Sequence, residues 1–148
     1  MKSAQDLIAA ARFFIDVPYV HQGHSSFGMD CIGFVFTAAL LADVDIEALM
    51  SDQNPSEPVP LWNYSRTAQA EGIARTQKWL KQIPSPIPGC LIFFKFPQEA
   101  HPSHFAIYTG TSIIHALAIE RKVVEQTYGR PWVQWAHSFW ELPGIEYV

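Results

Sequence analysis

Residues 28–35 of this 148-residue chain are Gly28-Met29-Asp30-Cys31-Ile32-Gly33-Phe34-Val35, and here a glycine- and serine-rich loop turns into an apolar run. The run continues to Leu41 and predicts a helix over 31–41, with Asp30 in the N-cap position. A thiol at a helix start lies at the positive end of the helix dipole, which favours the nucleophilic thiolate. A small buried hydrophobe fits the same position, so this stretch alone leaves both interpretations of Cys31 open.

Length and composition indicate a single globular domain over residues 1–148. Hydrophobic residues make up 49% of the chain and charged residues 16%, which predicts a substantial core and argues against disorder. The net charge of -4 gives no reason to expect nucleic acid as a partner. Cys31 and Cys90 do not form a disulfide framework, so we expect one reactive thiol and one buried thiol.

The N-terminus and the longest apolar run both bear on membrane association. The apolar run from Ile32 to Ala42 is too short to span a bilayer and contains Thr37. The first residues lead into an amphipathic pattern rather than a secretory signal. We therefore expect no membrane span, synthesis in the cytoplasm without a signal peptide, and a separate delivery route to any external substrate.

The order of predicted elements indicates an α+β fold, in which N-terminal helices pack on a C-terminal antiparallel β-sheet. Ser3 caps a first helix that extends to about Ile15, and a loop follows over 19–30. A surface segment over 43–60 carries one helical turn at 46–50, and a third helix covers 66–83. Strands follow at 90–96, 104–109, 112–117 and 122–126, and then a helical turn and a closing strand at 144–148.

Two of the six histidines fall on one strand face. A two-residue turn at Gly110-Thr111 predicts a hairpin in which residue 106 pairs with 115 and residue 104 with 117. His104 and His115 are then diagonal neighbours, roughly 7–8 Å apart, and the opposite face is uniformly apolar. A cysteine nucleophile needs a histidine base and a polar group that orients the base. We therefore expect the histidine face to receive the helix end that carries the thiol.

The remaining histidines have structural interpretations. His21 and His24 lie in a loop, His101 in a turn, and His137 is expected to pack or cap between aromatic residues. A zinc site formed by His101, His104, His115 and Cys31 is the rival use of these residue types. The extended backbone at Pro102 and the lack of a compact ligand pair make zinc the weaker hypothesis.

Four ordered blocks of the chain resemble the NlpC/P60 family of papain-like cysteine peptidases. In the first block, Val17-Pro18-Tyr19 leads to Asp30-Cys31, with Tyr19 twelve residues before the cysteine, as in the family. The later blocks resemble the family's P-G-D-L, H-V-G-I-Y and M-I-H-A elements; they are Pro88–Phe94, Ser103–Gly110 and Ile113–Ala116. The chain departs from the pattern at three places. Ile32 replaces a serine, Cys90 replaces an aspartate, and Gln22 and His21 occupy positions where the family often has glycine and tryptophan.

The resemblance implies a role for six residues. Cys31 is the nucleophile, His104 the general base and His115 the polar residue that orients the base. Tyr19 lines the substrate pocket, the backbone N–H of Cys31 contributes to the oxyanion hole, and Asp30 and Ser103 contact the substrate. The implied reaction is hydrolysis of peptidoglycan stem peptides, usually between D-γ-glutamyl and diaminopimelate or lysine. No metal ion or organic cofactor is implied.

The tryptophan-rich tail, which begins at Trp132-Val133-Gln134-Trp135, resembles the phage-tail and gene-transfer-agent branch of the family. That branch implies phage tail proteins as partners and a virion-associated enzyme that acts on the cell wall. Two other functions stay open on the sequence. One is a thiol-dependent amidase, acyl-ester hydrolase or acyltransferase on the same fold; the other is a non-catalytic tail assembly protein.

Overall fold

The computed structural model describes residues 2–46, 48–49 and 76–147. The N-terminal elements are β1 (Lys2–Ser3), α1 (Ala4–Phe13), β2 (His24–Ser25), β3 (Gly28–Met29) and α2 (Cys31–Leu41). The C-terminal part contains β4 (Lys81–Ile83), β5 (Leu91–Phe94), β6 (His104–Tyr108), β7 (Ser112–Leu117), a 3-10 turn (Ala118–Glu120), β8 (Lys122–Thr127), α3 (Trp132–Trp135), β9 (Ala136–Glu141) and β10 (Ile145–Glu146).

Six strands form one antiparallel sheet in the order β4-β9-β5-β6-β7-β8. The two short terminal strands, β1 and β10, pair with each other in parallel, and β2 and β3 form a small hairpin before α2. The predicted α+β architecture, with N-terminal helices on a C-terminal antiparallel sheet, is confirmed. Within the described residues, no helix has the length and hydrophobicity needed to cross a membrane.

Both N-terminal helices begin at the capping residues that the sequence indicates. Ser3 and Asp6 form a capping box, in which each backbone N–H donates to the other residue's side chain at 3.1 Å. Asp30 caps α2, and its Oδ1 accepts a hydrogen bond from Gly33 N at 2.8 Å. A side chain at Gly33 would overlap the carbonyl oxygen of Gly23, so glycine lets the preceding loop lie against the helix start.

The body of α2 packs on β6 and β7 and buries most of its side chains there. Its residues share one buried cluster with the apolar face of the hairpin, which consists of Phe105, Ile107, Ile114 and Ala116. The body of the helix therefore lies on the apolar face, and the approach of its thiol-bearing end to the histidine face stays a prediction. An almost wholly apolar helix gains most from an apolar partner surface, and the histidine face is the more polar of the two.

A second, smaller cluster lies on the histidine side of the sheet. Its buried residues come from β5, β6 and β7, and residues of α3 and β9 cover them, among them Trp132, Trp135 and Phe139. The sheet is consequently buried on both faces, which accounts for the nearly continuous apolar sequence Cys90–Phe94.

One prediction about the second half is wrong and another is confirmed in part. The third helix, expected over 66–83, cannot reach its predicted end, because Lys81–Ile83 is strand β4 and pairs with β9; residues 66–75 lie outside the described residues. The closing strand expected at 144–148 is present as the two-residue β10, which pairs with β1. Strand β9, which lies between β4 and β5 in the sheet, was not predicted. The predicted helical turn near residue 46 is confirmed in its described part, where Leu49 N donates to Asp45 O.

Candidate active site

Three polar side chains from three neighbouring strands form a hydrogen-bonded row. His104 Nε2 lies 2.7 Å from His115 Nδ1, and His115 Nε2 lies 2.9 Å from Gln126 Oε1. The observed pairing of Ile107 with Ile114 places residue 106 opposite 115, so the predicted hairpin register is confirmed. Each member of the row is therefore a diagonal neighbour of the next on the same face of the sheet.

Burial keeps both histidines neutral near pH 7. His115 has no exposed surface and His104 is 6% exposed. Burial lowers the pKa of His115 to about 4, although the hydrogen bond with Gln126 acts in the opposite direction. Burial, together with the nearby His115, also holds the pKa of His104 well below its usual value. A neutral imidazole has one nitrogen with a free lone pair, which is what a general base requires.

Aromatic rings enclose the two imidazoles. Trp132 meets His115 edge-on, with ring centroids 4.8 Å apart and planes at 81°. Phe96 stacks on His104 at 6.0 Å, and Phe94 lies on the same imidazole at 5.9 Å. These contacts exclude water from the pair and leave each ring little freedom to rotate.

His104 and Gln126 also line an open cavity of about 1020 Å³. Trp132, Trp135 and Phe96 form much of its apolar wall. Its charged lining residues are Glu99 and Glu120, and none of the described lining residues is a lysine or arginine. A substrate with a positively charged group is therefore favoured over one that is only anionic.

Tyr19 connects this cavity with the start of α2. Its side chain is a lining residue, and its backbone forms a parallel bridge with Met29, two residues before Cys31. The flanking bonds from Val20 N to Met29 O and from Met29 N to Pro18 O, at 3.1 and 3.0 Å, fix this position. Cys31 is the first residue of α2, has no exposed surface and is not itself a lining residue.

The two predicted polar substrate contacts lie in different surroundings. Ser103 lines the cavity beside His104 and donates from its hydroxyl to Glu99 Oε1 at 2.6 Å. Asp30 is fully buried, and its second oxygen accepts a hydrogen bond from Gln22 N at 2.9 Å. Asp30 therefore holds the loop on the helix start, and a substrate contact by this residue stays a prediction.

Cys31 and Cys90 form no disulfide, and both are buried. Cys90 lies in the cluster on the histidine side of the sheet, where burial raises the pKa of its thiol to about 11. It therefore stays protonated and unreactive near neutral pH, as expected for the structural member of the two. His137, which was expected to pack or cap, is exposed and contacts Ser138 Oγ through Nδ1.

Across the described residues, no cluster of three or more histidine, cysteine or acidic side chains is arranged to hold a metal ion. His101, which the zinc hypothesis requires, is exposed in the turn before β6. The facing nitrogens of His104 and His115 are occupied by their mutual hydrogen bond.

Gln126 was not predicted from the sequence as a functional residue. It is one of many polar residues in the second half, and only the register of β7 with β8 distinguishes it. Because Gln126 pairs with Ile113, the Gln126 side chain lies on the same face as His115 and is its diagonal neighbour. A sequence-level prediction would have needed the β7–β8 turn as well as the Gly110-Thr111 turn.

The chain is an α+β domain with a cysteine at the start of a helix. It also has a buried histidine pair on the sheet, and these features together define its class. Residues 16–141 match the NlpC/P60 family, and the chain belongs to that family. The resemblance inferred from the four sequence blocks is thus confirmed.

A curated relative is the gamma-D-glutamyl-L-lysine dipeptidyl-peptidase of Bacillus cereus ATCC 10987, which is 30% identical over 123 residues. The match covers 82% of this chain and 31% of the relative, so the chain spans about a third of that protein's length.

Solved structures share the fold. An NlpC/P60 family protein from Bacillus cereus ATCC 10987 superposes with a TM-score of 0.63 at 24% identity, over 93% of this chain and 39% of that one. The NlpC/p60 domain of the peptidoglycan hydrolase SagA gives 0.57 at 20% identity, over 95% of this chain and 99% of that domain. NlpC1 from Trichomonas vaginalis gives 0.65 at 16% identity, over 95% of this chain and 44% of that one.

Proposed function

We propose that this domain is a cysteine endopeptidase that hydrolyses peptidoglycan stem peptides, with Cys31 as nucleophile, His104 as general base and His115 as the residue that orients the base. The observation that carries the proposal is the buried His104–His115 pair, which borders an open cavity that Tyr19 shares. Family membership supports it, and so does the relative whose name specifies a γ-D-glutamyl-L-lysine bond.

In the acylation step, Cys31 Sγ attacks the carbonyl carbon of the scissile amide. The thiol proton passes to His104 Nδ1, because Nε2 of that ring is engaged with His115. The carbonyl oxygen becomes an oxyanion, which the backbone N–H of Cys31 stabilises at the helix N-terminus. The carbon–nitrogen bond then breaks, and the imidazolium gives its proton to the leaving amine.

In the deacylation step, water attacks the thioester that remains on Cys31. His104 takes the proton from the water and returns it to the thiolate as the carbon–sulfur bond breaks. The products are a new carboxylic acid and the regenerated thiol. Since His104 starts and ends each half-reaction neutral, the low pKa that burial imposes keeps the resting residue in the form that can accept a proton.

The cavity supports a substrate that carries an amine. Glu99, which accepts a hydrogen bond from Ser103, and Glu120 both line the cavity. The diamino acid of a stem peptide, lysine or diaminopimelate, has a side-chain ammonium that these carboxylates attract. We therefore assign the bond between D-γ-glutamyl and a diamino acid as the substrate bond.

A panel of synthetic substrates tests this assignment against the same chemistry on other acyl groups. L-Ala-D-γ-Glu-L-Lys and its diaminopimelate counterpart are incubated with the protein beside short acyl esters, and the products are identified by mass spectrometry. We expect cleavage after D-γ-glutamyl and little turnover of the esters. Turnover confined to the esters would support the alternative function of acyl-ester hydrolase or acyltransferase.

The delivery route remains a separate proposal. Association with a phage tail was expected from the tryptophan-rich tail, and two of those tryptophans, Trp132 and Trp135, line the cavity in the fold. The fold therefore accounts for these residues without a virion. Delivery by a phage tail and action at the cell wall stay predictions.

A further inference from the structure

Gln126 completes the row of side chains behind the proposed base. Its Oε1 atom accepts a hydrogen bond and cannot donate one, so the proton of the 2.9 Å contact lies on His115 Nε2. A neutral His115 with its proton on Nε2 has an unprotonated Nδ1. That Nδ1 then accepts from His104 Nε2, which lies 2.7 Å away.

The same reasoning extends to the far side of His104. With its proton on Nε2, a neutral His104 has an unprotonated Nδ1, the atom that the acylation step needs as a proton acceptor. If the Gln126 amide were reversed, its NH₂ group would donate to His115 Nε2. Every proton in the row would then move to the other nitrogen, and His104 would present an N–H to the thiol.

Because both imidazoles are buried, the orientation of the Gln126 amide has a large effect on which tautomers they adopt. His115 is fully enclosed, and the described structure leaves no buried side-chain nitrogen or oxygen without a hydrogen-bond partner. His115 itself has no solvent contact in the folded protein, so Gln126 supplies the hydrogen bond at Nε2 that water would otherwise make. Low solvent access also strengthens each hydrogen bond and raises the cost of leaving one unmade.

We propose that Gln126 is a positioning residue that fixes the tautomers of His115 and His104 and so keeps His104 Nδ1 free to accept the proton of Cys31. The proposal rests on the proposed function for its catalytic consequence, but its tautomer assignment concerns the free protein. Gln126 acts through the two histidines and makes no contact with the reacting atoms.

The test combines nuclear magnetic resonance of the free protein with kinetics on L-Ala-D-γ-Glu-L-Lys. In protein labelled with ¹⁵N-histidine, long-range ¹H–¹⁵N spectra identify which ring nitrogen carries the proton, and H104N and H115N variants assign the signals. We expect the Nε2–H tautomer for both histidines. Gln126→Leu removes the acceptor and should produce mixed tautomers, with kcat lowered roughly tenfold and KM nearly unchanged.

Two further variants separate positioning from a structural role. Gln126→Glu retains an oxygen acceptor and should retain the Nε2–H tautomers and most of kcat. Gln82→Leu makes the same change at an exposed site on β4, and it should alter neither the spectra nor kcat. A wild-type His115 with its proton on Nδ1, or Gln126→Leu spectra and kcat like those of the wild type, would overturn the proposal. If the peptide is not cleaved at all, the proposed function fails while the spectra still decide the tautomer assignment.

Discussion

His115 has both ring nitrogens engaged and no exposed surface, so its protonation would break a hydrogen bond as well as bury a charge. Protonation requires a second N–H on a ring whose Nδ1 faces His104 and whose Nε2 faces Gln126. The histidines of the row are therefore neutral in the native state, and acid lowers the stability of the fold because it favours their protonated forms. This has a measurable consequence for stability.

The stability of the wild-type protein should fall as the pH falls from about 6.5 to about 4. An unfolded histidine has a pKa of about 6.5, whereas burial lowers the pKa of folded His115 to about 4. Between these values the unfolded chain binds a proton that the folded chain does not. Over this range His115 alone costs about 3 kcal/mol, and above pH 6.5 it contributes no pH dependence.

Urea unfolding of the wild type and of His115→Gln, measured from about pH 7 to about pH 4, checks this expectation. The variant lacks the titrating group, so the difference in unfolding free energy between the two proteins should shrink by about 3 kcal/mol on acidification. A difference that stays constant with pH would show that His115 is protonated in the folded protein.

Glu99 should contribute to substrate binding through its charge. Glu99→Gln keeps the size of the side chain but removes a carboxylate from the cavity, so we expect about a fivefold rise in KM for L-Ala-D-γ-Glu-L-Lys. Steady-state kinetics measure this effect. The same peptide with norleucine in place of lysine has no side-chain ammonium and should show no difference between the two enzymes.

The exposed Glu146 on β10 provides the matched control, because Glu146→Gln changes the net charge equally outside the cavity lining. An equal rise in KM for the norleucine peptide would contradict the assignment. The effect would then come from the lost hydrogen bond between Glu99 and Ser103 rather than from charge.

At the level of elements, α2 depends on the buried carboxylate at its start. Asp30 accepts from Gly33 N within the helix and from Gln22 N in the preceding loop. It thereby holds together the two segments that flank Cys31. The first helix has an equivalent cap in Ser3 and Asp6, but those side chains are exposed.

Asp30→Ala should destabilise the fold by about 2 kcal/mol or more, because it leaves two N–H groups without their acceptor in a buried site. Asp6→Ala removes a carboxylate cap at an exposed site and should cost clearly less than Asp30→Ala. Urea unfolding of the two variants measures the contrast. Equal costs would contradict the view that Asp30 fastens the loop to the helix.

The elements that could be predicted from sequence are those whose determinants are local. Ser3 and Asp30 are N-caps with side-chain acceptors, and Gly110-Thr111 specifies a tight turn, so α1, α2 and the β6–β7 register follow from neighbouring residues. The candidate pair His104 and His115 follows from that register. The face of the hairpin on which the body of α2 packs could not be predicted, because strand alternation separates two faces without indicating which one a helix covers.

The elements that could not be predicted depend on distant partners. Strand β4 has only three residues and lies at the sheet edge, and its partner β9 is more than fifty residues further along the chain. Strand β9 follows Trp132–Trp135 directly, and the shared aromatic content conceals the boundary between helix and strand. The position of Gln126 beside His115 depends on the register of β7 with β8, and no tight-turn sequence between these strands predicts that register.

In the whole molecule, the sheet separates a larger apolar core from a smaller cluster next to the histidine row. On one face α2 and the apolar side of β6 and β7 form the larger core. On the other face, aromatic residues of α3 and β9 cover the smaller cluster, and Trp132 and Phe96 enclose the histidine row. Since the body of α2 covers the opposite face, we propose that Cys31 reaches His104 at the end of the sheet where β6 begins.

The two cysteines offer a matched pair for testing the central claim. Both are buried and outside any disulfide, but Cys31 begins α2 and Cys90 lies just before β5. Replacing either one with alanine removes one thiol of similar burial. Circular dichroism on each variant establishes that the fold is retained, so a difference in activity reports on the position of the thiol.

The most direct measurement is digestion of purified peptidoglycan by the wild type, Cys31→Ala and Cys90→Ala, with the released fragments identified by mass spectrometry. We predict that the wild type and Cys90→Ala release fragments cut between D-γ-glutamyl and the diamino acid. Folded Cys31→Ala should release none. Release of the same fragments by Cys31→Ala at the wild-type rate would contradict the assignment of Cys31 as the nucleophile.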